Sequence, residues 1–255
     1  PRTDRDHQQP LIRTQTPTEM NANRPDLPQR LLSLDTLRGF DMLFIMGFAT
    51  LVVNICRLFP GDTAAAIAAQ MQHPAWHGFT HHDTIFPLFL FIAGISYPFS
   101  LAKQRAQGAS SGDLYRKIVR RGLTLVLFGL ICNGLFRLEW PMRTASVLGR
   151  IGVAWALAAV LFLRCSTRTR IGIVGAILAG YWALLALVPA PDAPAGADVY
   201  SMEGTLAGYI DRLLLPGRLY NKIFDPEGLL STLPAVATAM LGICLLYTSP
   251  SPRDA

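Results

Sequence analysis

Four of the five histidines in this 255-residue chain fall within ten residues, in the stretch HPAWHGFTHHDTIFPLFLFIAGISY that runs from His73 to Tyr97. An acid, Asp83, follows them, and then an apolar run long enough to enter a bilayer. A neutral imidazole is the side chain best suited to accept a proton near neutral pH. Titratable groups are costly to keep at the mouth of a hydrophobic span, so this cluster is the first candidate site. Asp83 can equally serve as a helix N-cap, and so can Thr80, because the free N–H groups and the dipole of a helix start favour an oxygen acceptor. The spacing of His77, His81 and His82 offers two metal ligands on one helical face. No cysteine and no acid beyond Asp83 completes a set, so no metal is expected.

Two further groups of polar residues interrupt apolar sequence. In SLDTLRGFD, Asp35, Arg38 and Asp41 are spaced i, i+3 and i+6, which puts successive members on roughly one helical side. Arg38 is either a snorkelling anchor paired with Asp35, or part of a polar site for an anionic ligand in which arginine reads phosphate. Arg150 lies in SVLGRIGVAW, and Asp225 and Glu227 lie in DPEG. Anchoring and helix capping are their plain structural readings. If they share the outer mouth of one bundle with His73, they form a titratable pocket instead.

What must position these residues is a membrane bundle. The chain is 51% hydrophobic and only 16% charged, against roughly 25% charged in a soluble domain. The expected fold is all-α and polytopic, with about six spans at 36–55, 84–101, 118–135, 146–163, 171–187 and 229–246. Their all-round apolarity, with glycine and small residues in place of a polar face, argues against a soluble bundle. The net charge of +6 resides in short basic blocks between apolar runs, which is membrane topology and not a nucleic-acid face. Lys103, Arg105, Arg116, Lys117, Arg120 and Arg121 crowd one loop and three arginines another, whereas 58–102 and 171–211 contain no Lys or Arg. The expected orientation therefore has the N-terminus in the cytoplasm and the loops 56–83, 136–145 and 188–228 on the far side. The Pro/Ala-rich PAPDAPAGAD should be flexible or extended, and TLAGYIDRLLL, 205–215, a short helix on the membrane surface or capping the bundle. Cys56, Cys132, Cys165 and Cys244 have no paired spacing, so no disulfide framework is indicated. A homo-oligomer is left open.

The ends read differently from the middle. Residues 1–29 are expected to be a disordered tail, with 1–19 upstream of a plausible start at Met20. The final CLLYTSPSPRDA resembles the translation of a sequencing-adapter end, so 244–255 are expected to be non-native and the domain 30–243 incomplete.

Taken in order, RLLSLDTLRGFDML, HPAWHGFTHHDTIFPLFLFIAGIS, VLGRIGVAW and DPEGLLSTLPA resemble the heparan-α-glucosaminide N-acetyltransferase family and its bacterial homologues. The LDTLRGFD block is also similar to the first span of broader membrane acyltransferases. The resemblance implies a multi-pass enzyme of the bacterial inner membrane that moves an acetyl group from cytoplasmic acetyl-CoA to the amine of a glucosamine-type sugar outside. It places the active histidine, just before the W-x-G-x-T-x-x-D pattern, on His73, with Asp83 as the acid of that pattern. Trp76, Arg150, Asp225 and Glu227 are then candidates for the acceptor sugar, and Asp35, Arg38 and Asp41 for the coenzyme. Gly47–Phe48–Ala49 stand about where animal members carry an active-site asparagine. His73 either takes the amine's proton or is itself acetylated and passes the group on. The competing readings are an amino-sugar permease and an O-acyltransferase of surface polysaccharide.

Overall fold

The computed structural model describes residues 32–59, 61–137 and 141–248, with side chains to 245. The expected tail at 1–29 and the chain beyond 248 lie outside the described residues. Within them the chain is helical, with two isolated β-bridges and no strands. The first apolar run forms α1 (Leu32–Leu43) and α2 (Ala49–Leu58), joined by a widened turn at Phe44–Phe48. Gly47 causes the break: its φ of 117° lies in the region that a side chain disfavours. A short α3 (Asp62–Gln70) and the histidine loop lead into α4 (Ile85–Ala106). There follow α5 (Ser111–Cys132), α6 (Val147–Arg164), α7 (Thr167–Leu187), the short α8 (Leu206–Leu214) and α9 (Thr232–Thr248). Serines start three of the long helices: the side chains of Ser110, Ser146 and Ser166 accept the N–H groups of Asp113, Gly149 and Thr169.

Among the described residues, four stretches are long and apolar enough to cross a membrane: Leu32–Leu58, His81–Ala106, Val147–Arg164 and Thr167–Leu187. The other two expected spans, 118–135 and 229–246, correspond to α5 and α9. Helix α5 has the length, 22 residues, but Arg116, Lys117, Arg120 and Arg121 occupy its first half. Helix α9 is apolar but has only 17 residues.

Helix α9 is the centre of the bundle, touching α4, α6 and α7. Its Ala235, Val236, Ala237, Ala239, Met240 and Ile243 are buried. Small residues set the spacing: a β-carbon on Gly94 would collide with the Ala239 carbonyl, and one on Gly242 with the Phe91 carbonyl. Helices α4 and α9 thus touch backbone to backbone, the contact that small residues permit in a bilayer.

The loop between α7 and α9 corrects one expectation. PAPDAPAGAD is not a flexible or extended linker but a succession of tight turns. Ala190 N–H donates to Gly204 O, Ala193 N–H to Ala190 O and Ala197 N–H to Pro194 O. Arg212 on α8 clamps the segment through both carboxylate oxygens of Asp192, at 2.9 and 2.6 Å. Composition suggested extension, whereas the bonds to α8 supply the order. Helix α8 itself matches the expected segment and buries Leu206, Ala207 and Asp211 while exposing Leu213 and Leu214.

Candidate active site

The histidine loop closes by local bonds. Its turn at Gly78 (φ 138°) folds back on Pro74, so a β-carbon there would be both strained and tightly packed against the proline ring. The loop ends in a single tight turn, His81–Thr84, on which α4 starts. His73 Nδ1 lies 2.5 Å from Asp83 Oδ1. The other oxygen, Oδ2, accepts the Thr80 N–H at 2.8 Å and lies 3.0 Å from Thr80 Oγ1. One carboxylate thus caps the turn and also engages His73. With Nδ1–H donated to the carboxylate, Nε2 carries the lone pair, the arrangement a general base requires. The His73 side chain is 67% exposed, so Nε2 is open to a substrate. Of the other histidines, His82 packs its ring on His73, His81 packs on Phe44, and His77 lies exposed. Among the described residues no group of three metal-ligating side chains forms.

Trp76 sits on the same loop. Its Nε1–H donates to Tyr200 O at 2.7 Å and its ring meets Phe224 edge-on at 4.9 Å. With His77, Asp198 and Tyr200 it lines an open depression of about 530 Å³. Tyr200 and Asp198 come from the long loop, over a hundred residues away, and nothing in the sequence pointed to them.

About midway along α4, Arg38 of α1 donates to Ser96 Oγ at 2.7 Å, and also to its neighbour Asp35 Oδ1 at 3.1 Å. Asp41 does not join them. It is 1% exposed, with Oδ2 unpartnered, and makes no hydrogen bond to Arg38. Arg38 lines a cavity of about 320 Å³ with Phe89, Ala93, Ser96, Ser100, Tyr97 and Arg121. Phe89, Ala93, Ser96 and Ser100 form one stripe along α4, so the cavity extends beside the helix from Ser100 to Phe89. Tyr97 Oη, buried on its wall, has no hydrogen-bond partner. Arg121 lies over the Trp155 ring at 4.2 Å. Two further cavities, of about 100 and 460 Å³, continue past Lys117 to Arg116 and Arg120. The result is a basic groove. At 1.5 Å per residue, Ser96 lies roughly 20 Å along the helix from Asp83, and Phe89 about 9 Å. Sequence reasoning treated Arg121 only as a topology charge, although its i, i+4 relation to Lys117 puts both on one face of α5.

Asp225 and Glu227 are brought together, but by Arg143 and not by Arg150. Arg143 donates to both oxygens of Asp225, at 2.8 and 2.6 Å, and to Glu227 Oε2. Asp225 is fully buried and also accepts the N–H groups of Tyr220 and Glu227, each at 3.0 Å. Burial alone would raise its carboxyl, but the Arg143 bonds outweigh burial and hold it below the usual carboxylate range. At Glu227 burial wins, and its carboxyl titrates above the usual range. Arg150 instead donates to the carbonyls of Pro226 and Ser231 and lies 4.7 Å over Phe86. The three residues clamp the DPEG turn onto α6. The described contacts do not join them to His73.

Asp211 on α8 lies beneath the same turn. Its Oδ1 accepts Leu229 N–H at 2.9 Å, while Oδ2 is unpartnered in a 1% exposed residue. Burial pushes its carboxyl from 3.8 up to about 6. The folded protein thus holds a proton that the unfolded chain releases. The resulting stability is present at about pH 4 and below, and is lost as the pH rises through about 6. Asp211→Asn should abolish that slope and stabilise the protein above pH 6 by up to about 3 kcal/mol, at 1.36 kcal/mol per unit. Thermal unfolding in detergent across about pH 4 to 8 measures it, and a mutant that keeps the wild-type slope would place the titration elsewhere.

A bundle of apolar helices with a His–Asp pair at the head of one helix and a cavity lined by Arg38 and Arg121 further along it defines a multi-pass membrane protein with two separated polar sites. Residues 30–179 match the family described as "Domain of unknown function (DUF5009)", and the chain belongs to that family. It is also similar to human heparan-alpha-glucosaminide N-acetyltransferase, at 30% identity over 282 residues, covering 89% of this chain and 40% of the human protein. The mouse protein of the same name is 30% identical over 222 residues, covering 68% of this chain and 34% of its own length. The chain therefore spans 40% or less of these curated relatives.

Proposed function

We propose that this chain carries the donor groove and proton-accepting pair of a membrane acetyltransferase, which moves an acetyl group from acetyl-CoA to the amine of a glucosamine-type sugar. The observation that carries this reading is the row of cavities beside α4, basic at Arg38, Arg121 and Lys117 and extending to Phe89 on the helix that begins beside the His73–Asp83 pair. Such a shape fits a donor with a polyanionic head and a long flexible arm. Arg38, Arg121 and Lys117 read the phosphates, and the thioester travels along the stripe from Ser100 to Phe89. All six apolar helices span the inner membrane of a bacterium. The basic groove faces the cytoplasm, in keeping with the density of Lys and Arg there, and His73 faces the far side.

The chemistry follows from the pair. The sugar lies in the depression walled by Trp76 and Tyr200, whose aromatic faces offer apolar contact to a pyranose ring. His73 Nε2 removes a proton from the amine as its nitrogen forms a bond to the thioester carbonyl carbon. The C–S bond then breaks, and the coenzyme leaves as a thiolate that takes the proton back from His73. Asp83 stabilises the imidazolium between these steps without changing its own charge.

Membranes carrying the full-length protein, given labelled acetyl-CoA and glucosamine, should form N-acetylglucosamine. Transfer to no amino sugar would overturn the reading, and acetylated His73 trapped without acceptor would replace direct transfer by a covalent route. Arg121→Ala should raise KM for acetyl-CoA by roughly 10- to 100-fold, the loss expected for one charged hydrogen bond, with KM for the sugar unchanged. Equal effects on both substrates would remove Arg121 from the donor site.

A further inference from the structure

We propose that His82 is the positioning residue that holds the His73 ring in its reactive orientation, an inference that rests on His73 being the proton acceptor. The reason is a deficit of restraint. His73 stands on a loop with its side chain 67% exposed, and among the described residues its one polar tie is the bond from Nδ1 to Asp83 Oδ1. A single bond fixes one ring atom and leaves the imidazole free to rotate about it, sweeping Nε2 through an arc. The required precision is finer than that.

His82 supplies the missing contact. Its ring centroid lies 4.5 Å from that of His73, with the planes at 71°, an edge-to-face arrangement. The wall is itself anchored. His82 lies in the turn His81–Thr84, where His81 N–H donates to Gln70 Oε1 at 3.1 Å and Thr84 Oγ1 donates to His81 O at 2.7 Å. Its neighbour His81 packs on Phe44 of the first span at 5.0 Å. His82 Nδ1 is buried without a hydrogen-bond partner, which suits a neutral ring, since an imidazolium needs an acceptor for each N–H. No Lys or Arg occurs between 58 and 102 to compete for the pair. His82 thus adds an uncharged ring contact to the bond that His73 makes with Asp83.

The experiment compares His82→Ala, which removes the surface, with His82→Phe, which keeps a flat ring and removes both nitrogens. His82→Ala should lower kcat by roughly 10- to 100-fold, the range set by misplacement of a reacting group, with KM for acetyl-CoA unchanged. His82→Phe should restore most of that loss. A second readout needs no turnover: carbethoxylation of His73 by diethyl pyrocarbonate, mapped by mass spectrometry, should be faster in His82→Ala and near wild type in His82→Phe. Equal His73 reactivity in all three proteins, or a phenylalanine variant as impaired as the alanine one, would overturn the proposal. Altered reactivity in membranes that transfer no acetyl group would uphold the packing role and reject the acetyltransferase reading instead.

Discussion

Alanine at position 73 is expected to lower acetyl transfer by about 100- to 10,000-fold, the contribution of a positioned general base, while the protein remains in the membrane at its normal level. The size of the effect follows from Nε2, the proposed acceptor of the amine proton. The absence of a folding defect follows from exposure. His73 is two-thirds exposed and buries little apolar surface, so its truncation should cost no more than about 0.5 kcal/mol, as at ordinary surface positions. Asp83 retains its cap through Oδ2 in the mutant, and the start of α4 is preserved. Labelled-acetyl transfer, normalised to membrane-bound protein, measures the loss. Retention of a tenth of wild-type activity would end the assignment of His73.

The second large effect concerns stability. Arg143→Ala should destabilise the protein by about 3–5 kcal/mol, the cost of removing one partner from a buried ion pair. Asp225 is fully buried and would be left with amide donors but no countercharge, and Glu227 loses the same partner. Thermal unfolding in detergent should show a large fall in Tm, with Arg143→Lys between mutant and wild type because an ammonium cannot serve both oxygens of Asp225. A double replacement, Arg143→Met with Asp225→Leu, should recover only part of the loss. It removes the unpaired charge but leaves the Tyr220 and Glu227 amides without their acceptor. A wild-type Tm in Arg143→Ala would show that this clamp does not hold the DPEG turn.

Much of the scaffold was legible because hydropathy and helical spacing are local properties. The runs at 36–55, 84–101 and 171–187 lie within helical stretches long enough to cross a membrane, 146–163 matches one to within a residue, and the segment 205–215 contains α8. The pairing of Arg38 with Asp35 was also legible, since three residues on a helix are one turn. Asp41 shows the limit of that argument. Extending the series to i+6 carries it off the shared side, and the structure buries it without a hydrogen bond to Arg38. PAPDAPAGAD shows another limit. Its composition indicates a linker, but the clamp from Arg212 to Asp192 and the bond to Gly204 depend on residues in and beside α8.

By itself, the sequence determined the apolar helices, their basic flanks and a histidine loop ten residues before an acid at a helix start. These depend on residue type and on neighbours within a few turns. Only the tertiary structure decided the rest. It paired Arg143 with Asp225 across 82 positions, turned Arg150 to backbone carbonyls, and drew Tyr200 to Trp76 across 124. It also set Arg121 on α5 beside Arg38 on α1 to make one groove. Such partners meet because helices dock and loops close around a shared core, and the free energy of that docking is a sum over many residues that no local spacing records. His73 and Asp83 belong to both lists: their order was readable, but the 2.5 Å contact required the loop to fold back onto the head of α4.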